Sequence, residues 1–128
     1  TSFTQGHLFP TFISAKTLLF FLFRYIKSNN FDLVKKGETL IIQECPSVKS
    51  ELLDLLNRNK GNRSVLALMK VGKRWPWVKD VLMEEDLLNN SLLALNVGMF
   101  DQVIEKVSKC ENEMIPYLSL LLIRLTNL

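Results

Sequence analysis

The segment Ser64-Val65-Leu66-Ala67-Leu68-Met69-Lys70-Val71-Gly72 decides how the whole chain is read. Its apolar residues are closed by Gly72, and Pro76 stands where a helix restarts, so the spacing predicts a helix over 64–71 and a second through Val81 and Leu82. The pattern then recurs. Ser91-Leu92-Leu93-Ala94-Leu95 is followed by Val97 and Gly98, and six residues past each glycine stand Val78 and Ile104, nine past each Val81 and Val107. Two helix hairpins of similar design are expected, because one helical pair cannot bury both of its apolar faces whereas stacked pairs cover one another. The alternative is two unrelated hairpins that look alike because Leu, Ala and Gly are common residues.

Outward from this core the same reading continues. Pro10 precedes 11–27, where Phe12, Ala15, Leu19, Leu22 and Ile26 follow three-to-four spacing, which predicts a helix apolar on most of its circumference. Asn29 and Asn30 suit its end, and Phe31, Val34, Ile41 and Cys45 share the face of a second helix. Pro46 and Ser47 form a start signal for a short amphipathic helix carrying Val48, Leu52, Leu55 and Leu56, which 57–61 breaks. Glu84, Glu85 and Asp86 suit the positive first turn of a helix running to Val97, and 100–109 forms its return. A last helix begins near Pro116 and aligns Leu118, Leu121, Leu122 and Leu125. The expectation is an all-α chain of about eight helices with no strand, one domain over 1–128, arranged as stacked antiparallel hairpins in an α-solenoid-like or irregular bundle. Its scaffold would be held by Phe12, Leu19, Leu22, Leu52, Leu56, Leu93 and Ile104.

In the second copy, Ser91, Ala94, Gly98, Phe100 and Cys110 supply small, small, glycine, aromatic and small residues in an order that resembles a tetratricopeptide repeat. It departs from that pattern at Asn90, Val103 and Pro116. More broadly, the stretch is similar to tetratricopeptide-like and HEAT-like helical-repeat domains. The resemblance implies a protein-binding or assembly role without catalysis, through a concave surface lined by first-helix residues.

Composition sets outer limits. The 128 residues are 48% hydrophobic, enough for a real core, and 23% charged with a net charge of +3, which excludes neither a protein nor a nucleic-acid partner. Cys45 and Cys110 lie far apart without CxxC spacing and read as buried thiols in a reducing compartment, so an intracellular location, cytoplasmic or nuclear, is expected. The most apolar stretch, 17–23, is flanked by Lys16 and Arg24 and is far short of the roughly 20 residues a membrane helix needs. Residues 1–15 carry no basic start, and no small-residue cleavage site follows the apolar run, so no signal peptide is expected. The missing initiator Met and the apolar stretch 117–128 predict a piece of a longer protein.

Catalytic motifs are lacking. His7 is the single histidine, and there is no GK[ST] loop, GxGxxG, CxxC or HExxH, so neither a nucleophile with its base nor a cofactor or metal set is expected. The sharpest candidate is the run from Arg58 to Lys79, where Arg58, Lys60, Arg63, Lys70, Lys73, Arg74 and Lys79 occur with no acidic residue between them. Trp75 and Trp77 stand inside it. Large aromatics and Arg contribute heavily to interfaces, so Arg74, Trp75, Trp77, Lys70, Lys73 and Lys79 are the expected partner-binding residues of a protein-docking module. Basic side chains beside aromatics also hold a phosphate backbone, which makes nucleic acid the alternative partner of 58–79. The opposing readings are that Trp77 anchors the core and that the basic residues form a solvated face. Membrane association through the first or last helix ranks below these.

Overall fold

The computed structural model describes residues 33–126, and it corrects the all-α expectation. These residues form a mixed α/β fold in the order β1 (Thr39–Glu44), α1 (Lys49–Asn59), β2 (Ser64–Met69), α2 (Trp75–Glu84), β3 (Ser91–Leu95), β4 (Val103–Lys106) and β5 (Leu120–Arg124). The strands make one sheet in the order β1-β2-β5-β3-β4. β1 and β2 run parallel, while β5 is inserted between β2 and β3 and runs antiparallel to both. The expected helix 11–27, with Phe12, Leu19 and Leu22, lies outside the described residues.

Two expected helices are present and their chemistry is transparent. In α1, Leu52, Leu55 and Leu56 are buried while Lys49, Glu51, Asp54, Asn57 and Arg58 face water, so the 3.6-residue period survives in the sequence. In α2, Pro76 sits in the first turn, where its missing N–H costs no hydrogen bond, and Trp75, Val78, Val81 and Leu82 form the buried stripe. Elsewhere the helices give way to strands. From Leu33 on, the second expected helix is β1 and its approach, that over 64–71 is β2, and that over 84–97 is the end of α2, a short 3-10 turn and β3. The expected helix over 100–109 is a loop, β4 and another 3-10 turn, and the final one is β5.

The physical reason lies in burial on both faces. Val65 to Leu68 on β2 and Leu120 to Ile123 on β5 are all buried, so neither strand shows the apolar-polar alternation of a half-exposed strand. A short unbroken apolar run rich in Leu and Ala carries no period, and its composition favours a helix in isolation. One face packs Leu66, Leu68, Leu93, Leu121 and Ile123 against both helices, with Leu52, Leu56 and Trp75 at the centre. The opposite face gathers Ala67, Ala94, Leu120 and Leu122 with Leu33. Of the expected scaffold residues among those described, Leu52, Leu56 and Leu93 are fully enclosed, and Ile104 is half-buried.

The echo between 64–72 and 91–98 therefore has a cause other than a helical repeat. β2 and β3 are parallel neighbours of the same strand: Leu121 is level with both Leu68 and Leu93, and Leu122 with both Ala67 and Leu92. Each strand leaves the sheet through one turn design, with Lys70 and Asn96 in the left-handed region (φ 58° and 53°), a buried Val71 or Val97, and a glycine of positive φ. β2 has one residue more than β3 before that turn. Accordingly Val71 joins the helix-side cluster and Val97 the opposite one. The tetratricopeptide and HEAT resemblance is overturned with the all-α class, because the Ser91 and Ala94 that carried it lie on a strand.

Candidate functional site

The basic, tryptophan-bearing stretch does not fold into one surface. β2 runs through its middle, and six residues at about 3.3 Å each place Arg63 and Lys70 at opposite ends of the sheet, roughly 20 Å apart. Of the expected anchors, Trp75 is fully enclosed, and its indole N–H donates to the Asn112 carbonyl at 3.2 Å. Trp77 packs partly buried against the same core. The Arg74 guanidinium donates to the Cys45 carbonyl at 2.6 Å, clamping the end of β1 to the start of α2. Lys79 donates to the Cys110 carbonyl at 2.5 Å, and Lys70 pairs with Glu44 at 3.3 Å. Lys60 pairs with Glu85 at 2.8 Å, and Arg63 reaches the Lys36 carbonyl at 3.3 Å. Lys73 is exposed and Arg58 projects from α1. Thus Arg74 and Lys79 sit beside Trp75 and Trp77 as ties between segments.

The acidic run also lies elsewhere than the sequence suggested. Glu84 is the last residue of α2 and Glu85 its C-cap, so both occupy the negative end of a helix rather than the positive start. That placement is offset by lysines, Lys49 on Glu84 at 3.0 Å and Lys60 on Glu85.

Among the described residues, Glu38, Cys45 and Cys110 have pKa values moved by their surroundings. The Glu38 side chain is only 1% exposed and accepts hydrogen bonds from Thr126, from the Lys35 N–H at 2.7 Å and from Arg124 Nε at 3.0 Å. Burial pushes its pKa up, but those donors and the Arg124 charge outweigh it and hold the carboxyl at about 2, below the ordinary 4.5. Arg124 also donates to the Leu33 carbonyl at 3.0 Å, so the cluster ties the entry to β1 to the exit of β5. Both cysteines are buried free thiols. Burial pushes Cys45 up to about 11, partly countered by Arg74, and also raises Cys110, so neither is an activated nucleophile. Among the described residues, no three His, Cys, Asp or Glu side chains are placed to hold a metal ion. His7 lies outside them.

Among the described residues, the most exposed large apolar side chain stands at the tip of the β3–β4 hairpin. Phe100 is 100% exposed, and Met99 before it and Val103 at the start of β4 are each 45% exposed. The loop is braced rather than loose. Asn96 Nδ2 donates to Asp101 at 3.2 Å, the Gly98 N–H to Gln102 at 2.7 Å, and the Met99 N–H to the Asn96 carbonyl at 2.9 Å. Gly98 has φ 83°, a conformation that side-chain-bearing residues adopt at a cost, and it sets the turn. At the loop's base the Val97 N–H donates to the Leu118 carbonyl at 2.9 Å, fixing the hairpin to the approach to β5. Sequence reasoning missed this knob because it assigned Phe100 to a helix. The signal available was Asn96 and Gly98 spaced as turn residues between two short apolar runs.

A second open feature is a cleft of about 280 Å³ between the outer edge of β1 and α1, lined by Gln43, Pro46, Glu51, Asp54, Leu55 and Arg58. Among the described residues, no helix is long and apolar enough to cross a membrane. Comparison of the sequence with models of known families finds no match, and comparison with curated proteins finds none either.

Proposed function

We propose that this chain is a non-catalytic docking module of a larger intracellular assembly, contacting a protein partner through the β3–β4 hairpin tip. The observation that carries the reading is the fully exposed Phe100 on a hydrogen-bonded loop. An aromatic ring held in water contributes nothing to this chain's own core, whereas burying it in a partner's pocket is worth about 1.5–3 kcal/mol. The braced loop lowers the ordering cost of binding, and Met99 adds an adaptable apolar neighbour. The intracellular setting rests on the two unpaired, buried thiols.

Nucleic-acid binding has weaker support. Five of the seven basic side chains in 58–79, Lys60, Arg63, Lys70, Arg74 and Lys79, are engaged within the protein. The seven are also divided between the two ends of β2.

The test is photo-crosslinking in cells, with Phe100 replaced by photoreactive benzoylphenylalanine and the same group placed at Met83, an exposed position on α2, as control. The expected result is a discrete protein adduct from position 100 only, suppressed by excess unmodified chain but not by excess Phe100→Ser chain. Adducts with nucleic acid or lipid alone, identical adducts from Met83, or equal competition by Phe100→Ser would each refute the reading.

A further inference from the structure

We infer that β1 is a receptor edge to which an extended peptide of another protein adds as a sixth strand, placing a Lys or Arg side chain in the cleft beside α1. The register shows which main-chain groups are available. The Thr39 N–H bonds to the Arg63 carbonyl and the Cys45 N–H to the Met69 carbonyl, so the odd-numbered residues of β1 face β2. In a parallel pair the N–H and C=O of one residue point to the same side, which turns those of Leu40, Ile42 and Glu44 outward. Among the described residues, no main-chain group bonds them.

Proteins usually disarm such an edge with a proline, a bulge, an inward-pointing charge or extreme shortness. Six-residue β1, Thr-Leu-Ile-Ile-Gln-Glu, has no proline, and all six residues pair in continuous register with β2. The other edge, β4, has only four residues and carries Glu105 and Lys106. The open side of β1 is therefore the better template.

Side-chain chemistry then selects the peptide. A strand added beside β1 sends alternate residues to the helix side, level with Ile41 and Gln43, where the cleft opens. Glu51 and Asp54 line that cleft, one helical turn apart on α1, and neither has an ion pair among the described residues. Arg58 stands a further turn along, leaving a net single negative charge. On the other side of the sheet, the added strand meets Ile42, 40% exposed, which suits a β-branched residue. The occupant is thus an extended segment with β-branched residues at alternate positions and one cation between them. Main-chain bonds would supply affinity and the cleft selectivity. This site is separate from the hairpin tip.

Random decapeptides displayed on phage, selected against the intact chain, test the inference. Selected sequences are expected to share the alternating pattern with one Lys or Arg, and a synthetic copy should slow hydrogen exchange at Leu40 and Ile42. Ile42→Pro removes an outward donor while leaving the β1–β2 bonds in place, and should weaken binding by about tenfold. Asp54→Lys, an exposed change on α1, should weaken it about threefold to tenfold and favour the peptide whose cation is replaced by Glu. Phe100→Ser should leave it unchanged. Recovery of no peptide, selection of peptides without a cation, or binding indifferent to both β1 and α1 variants overturns the inference. So does sedimentation as a dimer that Ile42→Pro dissolves, which would make a second copy of this chain the occupant.

Discussion

Replacing Trp75 by Ala tests the most consequential placement in the structure, because the same side chain is an attractive surface anchor when the sequence is read alone. Trp75 is fully enclosed between α2 and the helix-side face of the sheet, among Leu52, Leu56, Leu66 and Leu121. Truncating a large aromatic in such a site costs about 3–5 kcal/mol, the sum of lost transfer energy and the cavity left behind. Losing the indole bond to the Asn112 carbonyl adds little, since Asn112 is exposed and water can replace the donor. A loss of about 4 kcal/mol is therefore expected, a large part of the roughly 5–15 kcal/mol typical of a domain. With a urea m-value of about 1.5–2 kcal/mol/M, the midpoint falls by roughly 2 M at unchanged slope. Far-UV circular dichroism is the appropriate signal, because removing Trp75 alters fluorescence directly. Trp75→Phe, which keeps most of the volume, should lose much less. A midpoint shift under about 0.5 M for Trp75→Ala would refute the enclosure of Trp75 and return it to the surface as a contact residue.

Glu38 confers acid sensitivity. Its folded pKa of about 2 lies below the ordinary 4.5, so the stability it contributes is present above about pH 4.5 and lost as pH falls towards 2; Glu38→Gln should flatten that part of the stability-versus-pH curve, measured by urea titration. Cys45 and Cys110 should resist a thiol reagent at pH 8 in the native protein and react promptly in denaturant; rapid native labelling would contradict their burial and raised pKa values. Phe100→Ala should leave the denaturant midpoint unchanged, within about 0.5 kcal/mol of wild-type stability, while Leu121→Ala on the central strand should cost about 2–5 kcal/mol, both by denaturant melts.

The candidate sites show how far residue patterns carry and where they stop. Trp75 and Arg74 stood out because aromatic and cationic residues are conspicuous in sequence, but whether a tryptophan faces water is a property of what packs over it. Phe100 was hidden by the opposite error, since three-to-four spacing over 100–109 is satisfied by a loop and a short strand as readily as by a helix. The cleft residues are separated by up to fifteen positions, from Gln43 to Arg58, and become neighbours only because α1 folds back along β1.

The sequence by itself determined α1 and α2, whose start signals and one-sided burial leave a 3.6-residue period, and it marked 64–72 and 91–98 as two versions of one design. Only the tertiary structure decided what that design is. A run such as Ser-Val-Leu-Ala-Leu buries itself equally well as a helix turn or as a central strand, and its own residues favour the helix. The choice falls to β5, which lies between β2 and β3 and hydrogen-bonds both, more than fifty residues from one and about thirty from the other. No local pattern records a partner that distant, so strand identity, sheet order and the open edge of β1 were settled by long-range pairing.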